Sequence, residues 1–197
     1  MTSSRISKRR LEPQWQLHLP FSPCGATDQL LDWLLDPNSL TQRLRRTCRG
    51  LFRVIPVSQR RQRPQLNEAQ ALGVQPQVMC FIREVHLLCD EQDWVFARTV
   101  IPVSTLTGPR RRLTRLGKKP LGAILFADPS MKRSHIQVAR IRPGQALFEN
   151  ATARLKTKPA EIWGRRSAFF LGGQPLLVSE IFLPDIGYGV NQAIEHR

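Results

Sequence analysis

Two charged residues sit where the surrounding pattern is apolar. A strand places alternate residues on one face. In 78–88 (VMCFIREVHLL), Met79, Phe81, Arg83, Val85 and Leu87 therefore share a face, and Arg83 is its only charge. In 175–183 (PLLVSEIFL), Leu176, Val178, Glu180 and Phe182 share a face, and Glu180 is its only charge. An ionised group removed from water without a partner is costly, so each of the two needs one. A guanidinium offers a planar fork of donors to a carboxylate. A carboxylate can accept from a hydroxyl or take up a proton. A cavity with an anionic or hydroxylic ligand would satisfy both. So would structural ion pairs, either with each other or with Glu84, Arg98 or Arg165.

Other reactive side chains have weaker settings. His86 falls on the strand face opposite Arg83. His135 begins a strand and has no evident acidic or nucleophilic partner. Ser104 lacks a G-x-S-x-G turn, so a hydrolase triad has no support. The four cysteines, Cys24, Cys48, Cys80 and Cys89, show no C-x-x-C spacing and are expected to be free thiols in a reducing cytoplasm. The four histidines are scattered as well, so no metal site is expected.

The elements that must position Arg83 and Glu180 follow from periodicity. Residues 27–36 read as a helix capped by Thr27 and stopped by Pro37. A second helical segment starts at Ser39, with Gln42 completing a capping box. Residues 51–57 read as a strand ending near Pro56. Strands over 78–88 and 94–103 form a hairpin through the polar turn Asp90–Asp93. A short helical region over 105–117 and a turn or short helix over 120–126 follow, then a strand over 134–142. The strands 163–171 and 175–183 flank Gly172-Gly173-Gln174, the clearest hairpin in the chain. Helices first, then hairpin-linked strands, give an α+β fold with an antiparallel sheet. Neither a dinucleotide fingerprint nor a P-loop is found.

The 197 residues suit a single domain. Thirty lysines and arginines against fifteen acids give a net charge of +15. Such a field attracts anions: nucleic acid, acidic lipid headgroups or small anionic metabolites. Residues 1–20 are expected as a basic tail, 143–160 as an inserted loop and 185–197 as a C-terminal extension of a 21–184 domain. No apolar run is long enough to span a membrane, and no secretory signal is evident.

Six segments, in order and approximate spacing, resemble chorismate pyruvate-lyases: LLDWLL (30–35), IRE (82–84), ARTVIPVSTLTGP (97–109), LGKKPLGAILF (116–126), WGRRS (163–167) and PLLVSEIFLP (175–184). The resemblance implies a six-stranded antiparallel sheet flanked by helices, with an internal ligand site beneath flap-like segments. It implies conversion of chorismate to 4-hydroxybenzoate and pyruvate, the entry step to the ubiquinone ring, without a cofactor. It further implies that Arg83 holds the ring carboxylate, that Glu180 meets the 4-hydroxyl, that Leu121 contacts the ligand near the carboxylate, and that Leu40 lies over it, where relatives can carry methionine. Arg98, Arg165 or Arg166 could take the second carboxylate.

The partners expected are chorismate and its product, with weak peripheral contact to anionic membrane and no nucleic acid, in a cytoplasmic monomer. Two rivals remain. One is a ligand-sensing domain, since the same fold resembles effector domains of bacterial transcription regulators, although residues 1–50 are too short for a DNA-binding module plus the start of the fold. The other is a nucleic-acid-binding protein, supported only by charge.

Overall fold

A computed structural model describes residues 12–17 and 26–187. Most of the expected tail, Cys24 and most of the expected C-terminal extension lie outside the described residues. The strands are β1 (Gln16–Leu17), β2 (Phe52–Gln62), β3 (Cys80–Cys89), β4 (Gln92–Pro102), β5 (Lys132–Arg133), β6 (Gln137–Ile141), β7 (Ile162–Leu171) and β8 (Gln174–Phe182). The helices are α1 (Asp28–Leu35), α2 (Leu40–Thr47), α3 (Leu66–Leu72), α4 (Leu121–Leu125) and α5 (Ala146–Thr152). A 3-10 helix spans Gly108–Arg115.

All strands join one antiparallel sheet in the order β1-β6-β7-β8-β4-β3-β2, with β5 paired to β7. The sheet thus has eight strands rather than six. The six longer strands are those expected, while β1 and β5 have two residues each, too few for alternation to reveal them. The β7–β8 hairpin turns through Gly172 and Gly173 at φ 55° and 78°, left-handed values that a two-residue turn demands.

Alternation along the strands sorts the core into two layers. On one face, Val85, Leu87, Val95 and Phe182 pack with Trp33 and Leu34 of α1 and Leu40 and Leu44 of α2. Further along that face, Phe81, Ile101, Phe169 and Val178 pack with Leu113, Leu121 and Leu125. On the other face, Leu147, Phe148 and Ala151 of α5 cover Phe96, Ile141 and Ile181, and Leu72 of α3 covers Ile82, Val100 and Leu177.

Four local expectations change. Strand β2 runs through Pro56 with a register shift between Pro56 and Ser58, which is tolerated because β2 is the sheet's edge. Ser39 precedes α2 without a side-chain cap, whereas a capping box forms at Gln65 and Glu68, opening a helix in a stretch that reads as polar loop. The 143–160 segment holds α5, which buries Leu147, Phe148 and Ala151, so it is not simply a loop.

The cysteines depart from expectation as well. Cys48 and Cys89 form a disulfide, with Cα atoms 5.6 Å apart at a sequence separation of 41. Cys48 caps the end of α2 and Cys89 ends β3, a meeting that tertiary packing makes and linear spacing hides. Cys80 is free and buried, and burial pushes its thiol up to about 11. No helix among the described residues is long and apolar enough to cross a membrane.

Candidate functional site

The face of the sheet under α2 and α4 is not fully filled. A cavity with about 520 Å³ of atom-free space, mouth included, lies between the two apolar clusters of that face. Its walls are apolar side chains such as Val54, Val85, Leu87 and Val178. Leu40 and Thr41 from α2, and Leu121 and Phe126 from the α4 region, close it from above. Gly122 lets these two helices approach: a Cβ there would stand 3.3 Å from both Ser39 Oγ and Thr41 Oγ1.

Among the described lining residues, only Arg83 and Glu180 carry charge. The four residues singled out from sequence, Leu40, Arg83, Leu121 and Glu180, all line this one cavity. Register explains the spacing of the charges. Arg83 on β3 faces Thr99 on β4, and Glu180 on β8 faces Ala97 on the other side of β4. Two inter-strand steps and a two-residue offset put their Cα atoms about 12 Å apart on one face.

Arg83 is 3% exposed. Its Nη2 donates to Gly117 O at 2.9 Å and to Lys119 O at 3.2 Å, which fixes the segment leading into α4. No carboxylate lies within ion-pair distance among the described residues, and its Nε is buried without an acceptor. Burial pushes the guanidinium down from its ordinary value. A buried cation with an unused donor favours an anionic ligand. Leu121 is the first residue of α4, so its backbone N–H has no acceptor within the helix.

Glu180 is paired. Its Oε2 accepts from Arg165 Nε at 2.6 Å, so the structural ion pair considered from sequence does form at this end. Arg165 is 1% exposed and its Nη1 also donates to Trp33 O and Asp36 O, at the C-terminal end of α1. Three other expectations resolve here. Arg98 points to the far face, bonded to Glu68 and Glu84 at 2.7 Å each. Arg166 also faces away, bonded to Gln137 and Asn67. His86 lies on the far face beside Asp93, as its strand position implied. Sequence reasoning missed Arg133, which sits in a polar stretch with no apolar periodicity. Its guanidinium lies 5.1 Å from the centre of the Phe169 ring, and Phe169 lines the cavity.

A second recess, between Trp33, Trp163 and Phe182, has about 730 Å³ of atom-free space. Its one charged described lining residue is Glu161, the wrong sign for an anion.

Comparison with known proteins gives a consistent result. A protein of Nitrosomonas europaea named "Probable chorismate pyruvate-lyase" is 38% identical over 165 residues, covering 84% of this chain and 92% of that protein. One of the same name from Methylobacillus flagellatus is 42% identical over 154 residues, covering 78% and 86%. Among solved structures, the ligand-binding domain of a putative GntR-family transcriptional regulator from Bordetella bronchiseptica superimposes with a TM-score of 0.51 at 15% identity, over 69% of this chain and 86% of that one. That likeness shows a shared fold alone. Residues 21–190 match the family model described as chorismate lyase. With this match and these relatives spanning most of its length, the chain belongs to the chorismate lyase family.

Proposed function

We propose that this protein converts chorismate to 4-hydroxybenzoate and pyruvate, the first committed step toward the ubiquinone ring, in the cavity between α2, α4 and the sheet. The observation that carries this reading is the pair of charges: one apolar cavity with Arg83 and Glu180 as its only charged described lining residues. The ring carboxylate of chorismate bonds the Arg83 guanidinium and relieves its unused Nε. The Leu121 N–H supplies a further donor near that carboxylate. The 4-hydroxyl meets Glu180, and Leu40 covers the ring.

In the reaction the C3–O ether bond breaks and the C4 hydrogen leaves. The ring becomes aromatic, and the enol ether becomes the ketone of pyruvate. The C4 hydrogen can pass directly to the enolpyruvyl methylene, which becomes the pyruvate methyl, or pass through a base. We favour direct transfer, with Glu180 orienting the hydroxyl, because one carboxylate oxygen is already committed to Arg165. Aromatisation drives the step, and the protein's task is to hold the enolpyruvyl group over C4 and exclude water. The exposed Arg111, Arg112, Arg115, Lys118 and Lys119 adjoin the segment bonded to Arg83 and can steer a dianion inward.

Titrating 4-hydroxybenzoate into the protein and into Arg83→Met tests the assignment. Binding by the parent and its loss in a folded Arg83→Met support it. Equal binding by both would overturn it.

A further inference from the structure

Chorismate carries two carboxylates, and Arg83 accounts for one. The enolpyruvyl group hangs from C3, next to the carbon bearing the 4-hydroxyl, so its carboxylate belongs at the Glu180 end of the cavity. The arginines eligible by sequence do not serve it. Arg98 and Arg166 face away, and Arg165 is spent on Glu180 and two backbone carbonyls.

We propose that Arg133 binds the enolpyruvyl carboxylate. The assignment rests on the placement of the ring by Arg83 and Glu180 argued above. Strand β5 pairs with β7 so that Arg133 stands opposite Phe169. The guanidinium lies over the Phe169 ring, which lines the cavity. Its Nε donates to Ser167 Oγ at 3.1 Å, and Ser167 shares the β7 face of Arg165 and Phe169. Its Nη1 donates to Pro37 O at 2.7 Å, in the short link between α1 and α2. Arg133 therefore stands behind the lining residue Phe169, near enough to feel the charge of Glu180, and braces the link into the helix that carries Leu40.

Charge balance carries the inference further. Arg133 is half-buried, yet among the described residues its hydrogen-bond acceptors are the neutral oxygens of Ser167 and Pro37, and no carboxylate lies within ion-pair distance. Burial pushes its guanidinium down, Glu180 pulls it up, Arg165 pushes it down again and Asp36, itself paired with Arg43, pulls it up, which places these groups in one electrostatic neighbourhood. Arg165 and Glu180 neutralise each other. Two cations, Arg83 and Arg133, remain without anionic partners around the cavity, and the substrate is a dianion. Binding chorismate brings this group of charges to neutrality, whereas 4-hydroxybenzoate, which lacks the enolpyruvyl carboxylate, leaves Arg133 as it was.

That difference supplies the test. For Arg133→Gln, kcat/KM for chorismate is expected to fall about 30-fold, the scale of one lost charge-assisted hydrogen-bonded contact. The Kd for 4-hydroxybenzoate should change by less than about 3-fold, which also reports an intact fold. Arg133→Lys keeps the charge, guards against a folding defect in the Gln variant, and should lose only about 5-fold in kcat/KM with product affinity intact. Chorismate turnover within about 2-fold of the parent in Arg133→Gln, or chorismate and product binding falling in parallel in both variants, would overturn the proposal. Arg83→Met separates this from failure of the site itself. Loss of product binding there with normal turnover in Arg133→Gln sinks Arg133 alone, whereas retained binding in Arg83→Met sinks the placement on which it rests.

Discussion

Arg165 Nε donates to Glu180 Oε2 at 2.6 Å across directly paired positions of β7 and β8. The same guanidinium holds Trp33 O and Asp36 O, so one buried side chain ties the carboxylate of the cavity to the end of α1 and the link into α2. Removing it would leave Glu180 and two carbonyls without their donor in a largely buried setting.

Arg165→Met is therefore expected to cost about 3–5 kcal/mol of folding stability. Urea unfolding measures this. A loss below about 1 kcal/mol would mean that water replaces the guanidinium and that the pair is not the brace described here.

Glu180→Gln separates orientation from base catalysis. An orienting contact predicts a fall in kcat of roughly 10-fold, with 4-hydroxybenzoate still bound. A fall of about 1,000-fold or more, with product binding retained, would assign Glu180 the base's role.

The disulfide between Cys48 and Cys89 closes a loop with a sequence separation of 41. Constraining the unfolded chain over that length is worth about 4 kcal/mol in the loop-entropy model. Reduction, or the double change Cys48→Ser and Cys89→Ser, should lower the melting temperature measurably. Because Cys48 ends the helix that carries Leu40, product release should also quicken. Thermal scans with and without dithiothreitol, paired with stopped-flow release of 4-hydroxybenzoate, read both effects. Identical melting in the two states would remove the stabilising role.

Stability should also depend on pH through His86. Burial holds its imidazole below the ordinary 6.5, with Asp93 opposing and Arg154 reinforcing that shift. The unfolded chain then binds more protons below 6.5, so stability is full above that pH and declines as pH falls through it toward the depressed folded value. Urea midpoints from pH 7.5 to 5.5 should drop, and His86→Leu should flatten that slope. Equal slopes in parent and variant would contradict this. The downward-shifted Glu84 acts only in a lower range, beneath its ordinary 4.5.

Much of the candidate site was legible because strands encode faces by alternation. Arg83 and Glu180 each interrupt an apolar face, and the sheet keeps those faces on one side. The resemblance in PLG and in the second helical segment placed Leu121 and Leu40 over the same space. What remained hidden depends on contacts between distant segments. Arg133 lies on a two-residue strand whose position is set by Phe169 and Pro37, neither near it in sequence. The capping box at Gln65 and Glu68 opens a helix whose anchor, Arg98, arrives from β4. Arg165 could be named as a partner for Glu180, but its choice between the substrate and that carboxylate was a matter of register.

Turnover is the most direct test. Pure protein without added metal should convert chorismate to equimolar 4-hydroxybenzoate and pyruvate. A folded Arg83→Met should do so at about 1% of the parent rate or less, as loss of a charge-assisted bidentate anchor implies. No product from the parent, or undiminished turnover by Arg83→Met, would contradict the central claim that this cavity, anchored by Arg83, is where chorismate reacts.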